Sequence, residues 1–123
     1  LDLDGPVFVF ELDETAFAAR PLPAFEPVSR FPAIRRDLAL VVDEAVTADA
    51  VLSCIRHVAG EMLRDAVIFD VYRGEGVSDG CKSLAIGLIL QDYSRTLTDD
   101  EVDALLTGIV AQLAETLGAE LRE

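Results

Sequence analysis

Arg35 and Arg36 stand side by side in the stretch FPAIRRDLALVV, residues 31–42, where a proline-rich tract gives way to a regular alternating pattern. Each guanidinium is a rigid fork of donors suited to a phosphate or a carboxylate. Neighbouring side chains on a strand point to opposite faces, so the two cannot serve one ligand from the same side. The ordinary alternative is an ion pair with Asp37 or Asp43 for one and solvation for the other. Arg73, Lys82 and Arg95 fall at the ends of two later apolar runs. If a hairpin gathers them they form a basic rim; singly, each is a common surface charge. Tyr72 is expected on the uncovered face of a sheet, with Phe31 at its entrance. A ring there can stack on an unpaired base, worth about 1–3 kcal/mol, and plain packing under the linker is the competing reading, above all for Phe31.

Other chemistries lack their residues. His57 is the only histidine, and it has no Ser or Cys at a spacing that would make it a catalytic base. Cys54 and Cys81 match no metal-ligand spacing and cannot supply a four-thiolate cluster. The acids at Asp99, Asp100, Glu101 and Asp103 suit the N-terminus of a helix without a metal. There is no Walker loop, GxGxxG or HExxH sequence. The glycines around Arg73-Gly74-Glu75-Gly76 read as a turn.

The net charge of −13 opposes free-standing binding of nucleic acid. Its distribution moderates this. Residues 1–29 carry −5 and residues 96–123 carry −6, whereas residues 30–95, which hold eight of the ten bases, carry only −2. The chain is 51% hydrophobic, too apolar for a disordered segment. No apolar run approaches the ~20 residues that span a bilayer. The opening Leu1 and the cysteine usage predict a piece of a longer, cytoplasmic protein.

The elements that position these residues are legible in order. Residues 7–12, VFVFEL, are rich in strand formers, and a helical turn capped by Asp13 is expected over 13–19. Prolines 21, 23, 27 and 32 make residues 20–33 an extended linker. Residues 36–43 alternate, with Leu38, Leu40 and Val42 on one face. Thr47 caps a helix whose stripe is Val51, Leu52, Ile55, Val58, Ala59 and Met62, with either Gly60 as its stop or an extension through Met62 and Leu63. Residues 65–73 read as a second strand, with Val67, Phe69 and Val71 on one face and Ile68, Asp70 and Tyr72 on the other. Residues 74–81 form a hairpin connection. The third strand runs from Lys82 to Gln91; Leu84, Ile86, Leu88 and Leu90 share an aliphatic face. On its other face Ser83, Ala85, Gly87 and Ile89 leave room for a close approach. Thr98 and Glu101 form a capping box for a second helix that ends at Gly118, and residues 119–122 make a short last strand.

From residue 36 the order is βαββαβ. This predicts an α+β, ferredoxin-like split βαβ fold: a four-stranded antiparallel sheet, two helices on one face, and an N-terminal extension. The division expected is 1–28, a tail of a preceding module with the proline-rich linker, and 29–123, the folded domain. Topology alone names no function.

Four stretches, FPAIRRDLALVV (31–42), FDVYRGEG (69–76), KSLAIGLILQD (82–92) and RTLTDDEV (95–102), stand in an order that resembles one family. It is the ferredoxin-fold anticodon-binding domain at the C-terminus of the bacterial phenylalanyl-tRNA synthetase beta subunit, and the likeness covers about residues 29–123. The resemblance implies a domain that binds the anticodon stem and loop of the tRNA for phenylalanine. It implies no catalytic residue and no cofactor in this piece. The parent enzyme would use ATP and magnesium and pair with an alpha subunit in an α2β2 assembly. By position in the matched stretches, Arg35, Arg36, Tyr72, Arg73, Lys82 and Arg95 are the implied RNA contacts. The isolated fragment is expected to be a monomer or weak dimer that binds RNA weakly.

Two other classes compete. A ferredoxin-like regulatory domain that binds amino acids would dimerise with its ligand and ignore RNA. An acylphosphatase-type enzyme needs an asparagine, and the chain has none.

Overall fold

Leu38, Leu40 and Val42 sit on one side of a ten-residue strand and are buried, while Arg35, Asp37, Ala39 and Val41 take the other side. That alternation sets the architecture: one apolar sheet face for two amphipathic helices, and one face left uncovered. The computed structural model describes residues 5–18, 22–25 and 28–122. Its elements in chain order are α1 (Thr15–Ala18), β1 (Ile34–Asp43), α2 (Ala48–Ala59), a 3-10 turn (Gly60–Met62), β2 (Leu63–Tyr72), β3 (Cys81–Leu90), α3 (Asp99–Leu117) and β4 (Glu120–Leu121). The sheet is antiparallel in the order β2-β3-β1-β4. This is the expected α+β, ferredoxin-like arrangement.

The helix ends follow their sequence signals. Thr47 Oγ1 accepts the Ala50 amide at 3.2 Å. At α3 the box is reciprocal: Glu101 N–H donates to Thr98 Oγ1 at 3.3 Å, and Thr98 N–H donates to Glu101 Oε2 at 2.9 Å. Gly118 ends α3 at φ 62°, a left-handed conformation in which its amide returns to Ala114 and Leu113 carbonyls.

The core lies between the sheet and α2 and α3. Leu40, Ile86 and Leu88 from the central strands meet Val51 and Ile55 of α2 and Ile109 and Leu113 of α3, all essentially without exposure. A smaller cluster, Leu90, Leu97 and Val102, seals the end where β3 leads into α3.

Two expectations are corrected. Residues 7–12 form no strand; Phe8, Val9 and Phe10 are each more than four-fifths exposed. Strand formers need a ladder partner for their amides and carbonyls, and among the described residues none is supplied. The helical turn after them does form, with Asp13 Oδ1 accepting the Thr15 amide at 2.9 Å. Residues 19–21 and 26–27, which hold the linker's Pro21 and Pro27, lie outside the described residues, as does Glu123. The second correction is in β2. Its ladder with β3 slips between Leu63 and Asp65 and again between Ile68 and Asp70. Phe69 is the extra residue of the second bulge, so strict alternation through the strand fails there.

Candidate nucleic-acid interface

The uncovered face can be read row by row from the register. Asp65, Ile89 and Arg35 form one row across β2, β3 and β1; Val67, Gly87 and Asp37 form the next. Beyond the bulge come Asp70, Ala85 and Ala39, then Tyr72, Ser83 and Val41. The bulge leaves Phe69 on this face, with its ring edge beside Gly87. Ile68 and Val71 instead align with core residues Ile86 and Leu84. Sequence alternation groups Phe69 with Val71 and Tyr72 with Ile68; one extra residue undoes both groupings.

Two arginine–aromatic pairs stand on this face. The Arg35 guanidinium lies 5.9 Å from the Phe69 ring centroid and donates from Nε to Asp37 Oδ1 at 3.0 Å. At the far end, Arg122 lies 5.0 Å from the Tyr72 centroid, and Tyr72 Oη donates to the Glu75 carbonyl at 3.2 Å. A third pair, Arg64 with Tyr93, has its guanidinium 4.8 Å from the ring centroid at the edge where β2 begins. Such rings and guanidinium planes offer surfaces on which unpaired bases stack. Around the first pair lies a groove of about 280 Å³, lined by Arg35, Asp65, Val67, Phe69, Gly87 and Ile89.

The six candidates of the sequence fall into three groups. Arg35 and Tyr72 share the uncovered face. Arg36 points the other way, to the helix side, and its Nη2 donates to Asp99 Oδ1 in the first turn of α3 at 2.9 Å. Arg95 joins it there, with Nη1 2.7 Å from the Glu101 carboxylate and Nε 3.6 Å from Asp92 Oδ2. Arg95 and both the amide and hydroxyl of Thr98 hold the Glu101 carboxyl down to about 2. Arg73 and Lys82 meet at the opposite end of β3, around Glu44. Arg73 donates from Nε and Nη2 to the Glu44 carboxylate, and Lys82 Nζ donates to the Glu44 carbonyl at 2.8 Å. The Arg73 fork lowers the Glu44 carboxyl below its ordinary value. Arg73, Lys82 and Arg95 therefore make no single rim; a ten-residue strand separates the first two from the third.

Sequence reasoning missed Phe69, Asp65 and Arg122. Phe69 is hidden by the bulge, which leaves no mark in a hydrophobic pattern. Arg122 follows a two-residue strand, and only the fold brings it over Tyr72. Gly87 was legible as a small residue on the flat face, and it forms the groove's floor.

Comparison with known proteins agrees with this fold. A family model described as the ferredoxin-fold anticodon binding domain matches residues 29–122. A phenylalanine–tRNA ligase beta subunit from Methylococcus capsulatus is 52% identical over 123 residues, covering all of this chain and 16% of that protein. The same subunit from Pseudomonas syringae pv. tomato is 54% identical with the same coverage, and that from Pasteurella multocida is 46% identical. The chain spans about one-sixth of the length of these relatives. A match over nearly the whole βαββαβ unit, with identities near one half, settles its kinship: the chain belongs to the ferredoxin-fold anticodon-binding domain family.

Proposed function

We propose that this chain is the anticodon-binding part of a phenylalanine–tRNA ligase beta subunit, and that its uncovered sheet face receives the anticodon stem and loop. The family match over residues 29–122 carries the reading. The arginine–aromatic pairs on the uncovered face support it, because stacking surfaces suit the unpaired bases of a loop. Residues 29–123 would be the RNA-binding domain, with 1–28 the tail and linker of a preceding module. Arg35 and Tyr72 would contact bases, and Arg73 and Lys82 would meet phosphates at one end of the sheet. Arg36 and Arg95, engaged with the first turn of α3, would act by fixing that helix on the covered side of the sheet.

The parent would work in the cytoplasm with an alpha subunit, as an α2β2 assembly using ATP and magnesium to charge the tRNA for phenylalanine. With a net charge of −13, this fragment alone would bind RNA weakly, as a monomer or weak dimer, since phosphate contacts dominate RNA affinity. Footprinting of that tRNA on the parent enzyme, with and without residues 29–123, tests the reading. Loss of protection confined to the anticodon arm is expected; unchanged protection after deletion would refute it.

A further inference from the structure

β4 covers only part of its neighbour. β1 runs ten residues, and β4 runs two, Glu120 and Leu121, which align with Val41 and Leu40. Successive residues of a strand turn their backbone groups to alternate sides. The Arg122 amide donates to the Ala39 carbonyl at 2.8 Å, so Ala39 faces β4, and Arg35 and Asp37 face the same way beyond it. Among the described residues no strand lies against them there. Arg36 Nη1 reaches the Arg35 carbonyl at 3.3 Å. The Arg35 amide and both backbone groups of Asp37 are left for another strand.

On the helix side of this open edge lies a cleft of about 560 Å³. Leu38 and Leu121 line it from the sheet, and Leu106, Val110 and Ala111 from α3. Its charged lining residue is Asp103, and Asp99 and Asp100 stand one turn earlier on the same helix. An open ladder beside an apolar cleft suits an extended segment. Backbone pairing holds the segment, and every second side chain fills the cleft.

Charge selects which segment. Arg35 and Arg36 are already paired with Asp37 and Asp99. Asp100 and Asp103 are left in excess, in a stretch, residues 96–123, that carries −6. The chain's own strand formers at 7–12 lie exposed, in a tail that carries −5 over residues 1–29. On this edge acid would meet acid. A second copy would set −13 against −13. We infer that the β1 edge and its cleft dock an extended segment of another polypeptide, in which apolar residues alternate with lysine or arginine. The apolar residues enter the cleft between Leu38 and Val110. The basic ones between them lie beside Asp37, and a basic residue next along the cleft row meets Asp103. This surface is distinct from the sheet face read above as the RNA-binding one.

The test is an amide-shift and hydrogen-exchange titration of the 123-residue chain with the capped peptide Lys-Lys-Val-Lys-Val-Lys-Lys, a palindrome that serves either strand direction. Its controls carry glutamate for every lysine, serine for every valine, or N-methyl groups through the centre, which keep the side chains and remove the ladder donors. The basic peptide should bind in the millimolar range, with shifts on residues 34–39, Leu106 and Val110 and slowed exchange at the Arg35 and Asp37 amides. Each control should bind at least about tenfold more weakly. A111F, at an exposed position of α3, should fill the cleft and weaken binding as much, and D103K should weaken it about fivefold. The peptide series needs no variant, so an A111F chain that fails to fold leaves the test intact. Equal binding by the glutamate peptide, binding that survives N-methylation or A111F, shifts confined to the uncovered face, or no binding at tens of millimolar would each overturn the proposal. So would slow exchange at the Arg35 and Asp37 amides in the free chain. Unchanged by dilution, it would put the chain's own tail on the edge; lost on dilution, a second copy.

Discussion

The Arg36 guanidinium, on the helix side of β1, reaches the first turn of α3 and donates to Asp99 at 2.9 Å, a contact that spans 63 residues of sequence. Asp99 is largely exposed and Arg36 about one-third exposed, so solvent screens the pair. A double-mutant cycle on R36M and D99N should give a coupling of about 0–1 kcal/mol in urea unfolding. R36M should leave the affinity for an anticodon hairpin within a factor of about two. A large loss of RNA affinity without loss of stability would return Arg36 to the list of direct contacts.

Arg35 behaves differently because it is one residue away and on the other face. That opposition was legible from the strand alternation around Leu38, Leu40 and Val42. So were the two helices, since Thr47, Thr98, Glu101 and Gly118 are local signals that act where they stand. The groove was not legible, because Phe69 owes its place to an inserted residue that resets the pleat. Nor could sequence say that Val7 to Leu12 would find no ladder partner among the described residues: strand propensity is a property of residues, whereas pairing requires a second strand. Asp37 was legible as a partner for one of the adjacent arginines and takes Arg35, but the acid partners of Arg36, Arg73 and Arg95 were hidden. Glu44 meets Arg73 across 29 positions, and only the register of β2, β3 and β1 brings them together.

The bulge yields a sharp test. A residue on the core face of β2 would cost several kcal/mol when truncated, but Phe69 is half exposed on the other face. F69A should change stability by less than about 1 kcal/mol and weaken anticodon-hairpin binding by about tenfold. L40A removes a wholly buried side chain of the central strand and should cost about 2–5 kcal/mol. Urea unfolding of the two variants side by side distinguishes the faces. A severe loss in F69A would place the ring in the core after all.

Acid should loosen α3 at its start. Glu101 is held at about 2 against its ordinary 4.5, mainly by Arg95 and then by the Thr98 amide and hydroxyl. Its folded value is depressed, so the stabilisation is full above about pH 4.5 and is lost as pH falls toward about 2. Asp92 and Glu44 are lowered in the same sense. E101Q should therefore lose less stability than the native chain between pH 4.5 and 2, while T98A should cost about 1 kcal/mol near neutrality. Urea midpoints across that window, with a carboxyl NMR titration of Glu101, check both. An E101Q acid profile superimposable on the native one would show that the box carries none of the acid sensitivity.

The Glu44 cluster decides whether Arg73 and Lys82 touch RNA. In the free chain the Glu44 carboxylate occupies the Arg73 fork, and the Glu44 carbonyl accepts from Lys82. A phosphate that used Arg73 would have to displace a carboxylate already bound in the geometry the phosphate wants. E44Q removes that competing charge and leaves the backbone carbonyl in place for Lys82. Anticodon-hairpin affinity should rise, and its fall with salt should steepen, with log K against log salt gaining roughly 0.7 in slope for each phosphate newly neutralised on a single strand. Adding R73Q to E44Q should cancel both changes. If E44Q alters neither affinity nor slope, Arg73 and Lys82 serve only to tie the β2–β3 connection to the end of β1. The RNA would then be held by the stacking rows alone.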